Sequence, residues 1–214
     1  MGPRLSHAAE PSFRNQLRPA IGGVFVLTLL TGVIFPLLLF AITRALFPYQ
    51  ARGSLVAWGG VTAGSELIGQ DFTAPKYFHP RPSAAGAGYD GTASGGTNLA
   101  PDNRKLIEGD RSFAGIRQLA EEYRKSNNLA ADAPIPIDAV TRSGSGLDPD
   151  ISPENAALQV TRVARARGLS VDTVRQIVTD RTRQPQFGIL GNPRVSVLDL
   201  NLALDRLASA RSSP

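Results

Sequence analysis

Chemistry in a protein chain requires convergent side chains, and this sequence offers few of them. Cysteine is absent from the 214 residues, which excludes disulfides, thiolate metal sites and a cysteine nucleophile. His7 and His79 are the only imidazoles. Gly86, Gly88 and Gly91 in GAGYDG match a dinucleotide fingerprint letter for letter, but the motif works only where a strand delivers the glycines to a helix N-terminus. Here RPSAA precedes and more glycine follows. Ser94, Gly95 and Gly96 form an SGG turn whose amides could cradle a phosphate, although no Walker lysine follows any glycine cluster. Asp148, Asp150, Ser152 and Glu154 alternate like a calcium loop, yet Pro153 stands where that loop needs glycine. Around Ser94, Ser143 and Ser145 there is no nucleophile elbow. The composition therefore argues against an enzyme and for no metal or cofactor of the chain's own.

The elements that would position these residues begin with an apolar run. Pro19–Thr43 holds 25 residues without a charge. At about 1.5 Å per residue it reaches roughly 37 Å, enough for a hydrocarbon layer of about 30 Å. A cleaved signal peptide usually has a shorter apolar region and a small-residue cleavage site, so the run reads as a retained anchor. Pro36 lacks a backbone donor, which predicts a distortion near Thr31–Ile34. The expected organisation is a cytoplasmic tail, 1–18, a transmembrane helix, 19–45, and one extracytoplasmic (periplasmic) α+β domain, 46–214. Arg4, Arg14 and Arg18 before the span outnumber Arg44 and Arg52 after it, which favours a cytoplasmic N-terminus by a narrow margin. The net charge of +5 is concentrated at the membrane, residues 46–214 carrying only +2, so no nucleic-acid surface is demanded.

Beyond the span, Ala51–Phe72 predicts one or two short strands, and Trp58 reads as a core residue. Eight of the 22 residues Pro80–Pro101 are Gly or Pro, a loop long enough to be functional. Tyr77, Phe78 and Tyr89 suggest that it is ordered. Pro101–Lys125 reads as helix with a break near Gly109, and Ile135–Thr141 as a strand. Ser152 caps a helix stopped by Gly168, Ser170 caps another to about Arg183, and Ser196 with Asp199 resembles a capping box for the last. The helix pair around Gly168-Leu169-Ser170 has six arginines against three acids from Glu154 to Arg183, which leaves a membrane-tethered helix-turn-helix regulator as the alternative. A hairpin packed through Leu158, Val163, Val174 and Ile177 explains the same residues.

The blocks GSELIGQDF (64–72), YFHPRPSA (77–84), YDGTASGGTNLAP (89–101), VTRSGSGLDPDIS (140–152), RVARARGL and LGNPRVSVLDLNLALD (190–205) resemble the C subunit of the bacterial Kdp potassium-transporting ATPase. They span nearly all of the chain after the N-terminal tail, and depart at Asp150, where that family more often has histidine. The resemblance implies an inner-membrane accessory subunit that does no chemistry alone. It would hold together a channel-like potassium-binding subunit and an ATP-hydrolysing subunit. It also implies a catalytic chaperone that raises the ATP affinity of the ATP-hydrolysing partner, and Ser94–Gly96 is similar to a fragment of an ATP-transporter signature. ATP would act through the partner, since a periplasmic loop does not meet cytoplasmic nucleotide. Gly22, Gly23 and Gly32 are the expected helix-packing residues. Tyr77, Phe78, Arg81, Tyr89, Asp90 and Asn98 are the expected partner-contact or loop-ordering residues.

Overall fold

In the computed structural model, which describes residues 13–212, the chain forms two units that divide after Gly53. Arg4, His7 and Glu10 of the tail lie outside the described residues. Among its described residues the first unit holds one long apolar helix, Phe13–Leu46, with mean hydropathy 2.6 over its most apolar window and none of that window buried, and a 3-10 turn, Gln50–Arg52. The helix comprises α1 (Phe13–Leu29), a π turn (Leu30–Ile34) and α2 (Phe35–Leu46), and so begins six residues before the expected start at Pro19. The π turn falls where Pro36 predicted a distortion. A proline ring clashes with the carbonyl four residues back, here that of Gly32, and offers it no N–H. Widening the turn resolves the clash, and the Phe35 N–H donates five residues back to Leu30 O. Thr31 and Thr43 return their hydroxyls to Leu27 O (2.7 Å) and Leu39 O (2.8 Å), so both hide their polarity within the helix itself.

The second unit mixes helices with three small sheets. β1 (Leu55–Trp58) and β2 (Val61–Ser65) form a hairpin across Gly59-Gly60, both at positive φ, as a two-residue turn requires. Trp58 is half-buried, with the Arg206 guanidinium 5.5 Å from its ring centre, so it lies at the core's margin rather than within it. From Glu66 to Asn103 there is neither helix nor strand. The helix expected over Pro101–Lys125 breaks where Gly109 suggested, but the break is a whole hairpin. α3 (Arg104–Glu108) leads into β3 (Gly109–Asp110) and β4 (Phe113–Ala114), and α4 (Ile116–Ser126) follows.

The strand expected over Ile135–Thr141 is not there. Pro134 and Pro136 supply no donors for a ladder, and Ile137–Ala139 is a short 3-10 turn instead. Asp138 is committed to the start of the next helix, accepting from Ser152 N (2.8 Å), Ser152 Oγ (2.9 Å) and Asn155 Nδ2 (3.0 Å). The strand forms later, as β5 (Asp150–Ile151), in an antiparallel sheet of order β5-β7-β6 with β6 (Thr182–Arg183) and β7 (Arg194–Ser196).

α5 (Pro153–Arg167) starts at its Ser152 cap and ends at Gly168, φ 62°, where Leu169 N–H reaches back to Ala164 O at 2.9 Å. α6 (Val171–Arg181) starts at Ser170, whose Oγ accepts from Thr173 N at 3.1 Å. The box at the head of α7 (Val197–Ser212) is only half formed. Asp199 N–H points to Ser196 Oγ at a long 3.5 Å, while the Asp199 carboxylate turns to Arg181. Ala156, Val160, Val163 and Ala164 of α5, Val174 and Val178 of α6, and Val197, Leu200 and Leu204 of α7 recur at helical spacing. They close one core with Ile151, Val195 and Phe78.

Candidate functional site

Phe78 enters that core from a segment with no strand beside it, so its buried peptide groups need partners that no ladder supplies. Two carboxamides take the place of a neighbouring strand, since each carries one acceptor and two donors on a flat frame. Asn201 of α7 accepts from Phe78 N (2.8 Å) and donates to Phe78 O (3.0 Å). Gln159 of α5 does the same for His79, accepting from its N at 2.7 Å and donating to its O at 3.1 Å. Both amides are about 1% exposed. The network continues inward. Gln159 donates to Asn155 Oδ1, which also accepts from the Tyr123 hydroxyl at 2.8 Å, and Asn155 donates to Asp138.

Arg162, one turn further along α5, secures the same segment. Its guanidinium donates to Pro75 O (2.6 Å), Tyr77 O (2.8 Å), Asn127 Oδ1 (2.9 Å) and Gln159 Oε1 (2.7 Å). Burial brings its pKa down to about 10. Arg167 donates to Lys76 O, pairs with Asp205 at 2.9 Å and lies 5.1 Å from the centre of the Tyr77 ring. His79 Nε2 sits 3.3 Å from Arg162 Nη1 and 3.2 Å from Ala74 O. Burial first, and the adjacent guanidinium second, hold the imidazole below its ordinary pKa.

Above this strap two loops interlock. Ser83 donates to Gly146 O (2.6 Å) and accepts from Ala85 N and Tyr89 N. Arg81 pairs with Asp148 at 2.8 Å, and the Tyr89 hydroxyl donates to Arg81 O. Burial, with Asp71 adding to it, raises the Tyr89 pKa, which keeps the phenol protonated and donating. Gly146, at φ 69°, has room for nothing larger, since a Cβ there would come within 2.6 Å of both Ala85 N and Gly95 O.

The six loop residues named from the sequence therefore separate. Phe78 is wholly buried. Tyr77 donates to Asp205 (3.3 Å) and packs its ring on Phe72, and with Arg81 and Tyr89 it ties the loop to the domain. Asp90 and Asn98 are exposed, Asp90 capping a local turn through Thr92 N and Oγ1, and Asn98 occupying a left-handed position, φ 52°. The SGG turn is not an open phosphate cradle. The Gly95 N–H and the Ser94 hydroxyl both go to Ser145 O, at 2.8 and 3.0 Å, and a Cβ on Gly96 would come within 2.9 Å of Gly144 O. Gly22 and Gly23 have open space around them, and Gly32 meets only Thr28 at 4.0 Å.

Four of the six arginines of the helix pair are engaged within the domain, and Arg165 and Arg183 are exposed. Val163 and Val174 are buried between α5 and α6, Arg162 and Arg167 are turned onto the 75–77 segment, and Arg175 and Arg181 are paired with Asp172 and Asp199. The alternating acids at Asp148 and Asp150 are likewise matched to Arg81 and Arg194. Sequence reasoning missed Asn155, Gln159, Arg162 and Asn201. The available signal was two carboxamides, i and i+4, within the apolar stripe of α5, and Asn201 among the leucines of α7.

Asn201→Ala leaves both peptide groups of Phe78 buried without partners, at about 1–3 kcal/mol each. Chemical denaturation should register a loss of about 2–5 kcal/mol. The unfolded chain takes up a proton on His79 as pH falls below about 6.5, while the folded chain resists it. Stability is thus highest above that pH and declines below it, and His79→Gln should flatten the decline in unfolding midpoints measured from pH 7 to pH 5.

The family described as "K+-transporting ATPase, c chain" matches residues 17–206. A potassium-transporting ATPase KdpC subunit of Mycobacterium tuberculosis is 50% identical over 194 residues, which cover 91% of this chain and all of that protein. Proteins of the same name from Gemmatimonas aurantiaca (50% over 200 residues, 93% of this chain and 96% of that one) and Rhodopseudomonas palustris (45% over 206 residues, 91% and 98%) are similar throughout. A match of this extent, running from the apolar helix through α7, establishes that the chain belongs to the KdpC family, the c chains of K+-transporting ATPases.

Proposed function

We propose that this protein is a non-catalytic accessory subunit of an ATP-driven potassium-uptake pump. It is anchored in the inner membrane by one helix, with its N-terminus cytoplasmic and its domain, 46–214, on the periplasmic side. There it stabilises the assembly of a channel-like potassium-binding subunit with an ATP-hydrolysing subunit. The relatives' name supports membership of such a pump. The observation that carries the accessory role is how the domain uses its polar groups. Asn155, Gln159, Arg162, Asn201, Asp138, Arg81 and Asp148 are engaged in holding one chain segment to another. Such groups position backbone and do not act on a substrate. Any rise in the pump's ATP affinity then passes through contacts with the partner subunits, since the Ser94–Gly96 turn is spent on Ser145. Orientation follows from Arg14 and Arg18 at the helix start, together with Arg4, against Arg44 and Arg52 at its end.

Alkaline phosphatase fused after residue 214 should be active in intact cells, and a cytoplasmic-only fluorescent fusion dark; the reverse pattern overturns the orientation. The pump purified with this subunit should hydrolyse ATP at a lower apparent KM than the pump purified without it. At Gly22 and Gly23 an added Cβ meets nothing within 4 Å beyond the adjoining helix backbone, so Gly22→Leu with Gly23→Leu starts into open space. Loss of copurification in that variant would therefore report contact with a neighbouring subunit, and undiminished recovery would refute packing through those glycines.

A further inference from the structure

The turn between β6 and β7 is the most conspicuous apolar feature of the domain's surface. Phe187 and Ile189 are each 83% exposed and Leu190 is 56% exposed, side by side at the end of a hairpin. A folded domain rarely leaves three such residues together in water without a purpose. The turn is also held in one shape. Gln186 and Leu190 exchange two backbone hydrogen bonds at 2.9 Å, Gly188 N–H donates to Pro185 O at 3.0 Å, and Gly188 and Gly191 take positive φ. Phe187 itself sits at φ 56°, a left-handed position that a bulky side chain occupies at a cost and that Asn or Gly would fill more easily. The backbone bears that strain, and the ring is presented outward.

From Arg181 to Leu198 there is no acidic residue, and the exposed Arg183 flanks the apolar tip on one side, while Arg194 on the other is paired with Asp150. We propose that this turn, residues 184–193, is a preformed plug that docks into an apolar socket with an acidic group at its Arg183 edge on another protein subunit of the pump, with Phe187 as its central anchor. The inference rests on the functional reading above and deepens it by naming the surface. A rigid, strained presentation favours a shaped protein pocket over lipid, because a fluid bilayer gives no reward for a fixed ring position, whereas preorganisation raises affinity for a fixed socket. A large aromatic ringed by smaller contacts is also the usual composition of an energetic centre in protein interfaces.

The test uses the assembled pump. Phe187→Asn suits the left-handed backbone and removes the ring, so the isolated subunit should unfold at an unchanged or higher midpoint. Its affinity for the remaining subunits should fall about 30-fold or more, and Phe187→Tyr should restore it. A photoreactive phenylalanine analogue at position 187 of the full chain should crosslink to another subunit. Wild-type affinity in Phe187→Asn, or crosslinks to lipid alone, overturns the docking proposal while leaving the functional reading intact. Failure of the unaltered chain to copurify with any pump subunit overturns that reading, and the docking proposal with it.

Discussion

Burying backbone that has no neighbouring strand is the constraint on which this domain depends. The 75–79 segment carries Phe78 into the core, and its peptide groups follow. Left unpaired, they would cancel much of what burying the ring contributes. Asn201 and Gln159 supply from two different helices the donor-acceptor pair that a strand would have supplied, and Arg162 adds donors to carbonyls on the flank. Because the partners are side chains of α5 and α7, the segment fixes the spacing of those helices as much as they fix the segment. This is one reason a domain with only short strands can hold a unique arrangement: its sheets are small, and the register comes from polar pairs instead.

The loops above inherit their order from this strap. Arg81 and Ser83 follow directly from it along the chain, and they meet Asp148 and Gly146 of the facing turn. A run of glycines that would otherwise be mobile is thereby drawn into close backbone contact, with Gly96 and Gly146 fitting where side chains would not. The stretch least like a folded element in the sequence becomes a fixed surface, with Asp90 and Asn98 facing outward.

What could be read in the sequence was whatever local chemistry decides. The apolar span, the response to Pro36, the Ser152 and Ser170 caps and the Gly168 stop each rest on residues within a few positions of one another. The errors share an opposite cause. Ile135–Thr141 alternates like a strand, but Asp138 is drawn to Ser152, fourteen residues away, and the neighbouring prolines leave no ladder to join. Asp199 looks like part of a cap until Arg181 claims it. Gln159 and Asn201 left a signal, but a carboxamide on an apolar face reads as an ordinary interruption until the backbone it serves, more than 75 residues distant, is known, and Asn155 answers to Asp138 and Tyr123 in two other segments. The candidate loop residues were legible as a group, but their division into buried ties and outward groups was not.

The widened turn at Leu30–Ile34 has a consequence for how the apolar helix can be used. One surplus residue in the spiral rotates everything beyond it by about 100° relative to an uninterrupted α-helix. The glycine pair at 22–23 and the Phe40–Arg44 stack therefore belong to two separately indexed stripes. A rod divided in this way can offer neighbours of its first half a groove of small residues and neighbours of its second half a wall of large ones, with the phase between the two set by a single proline.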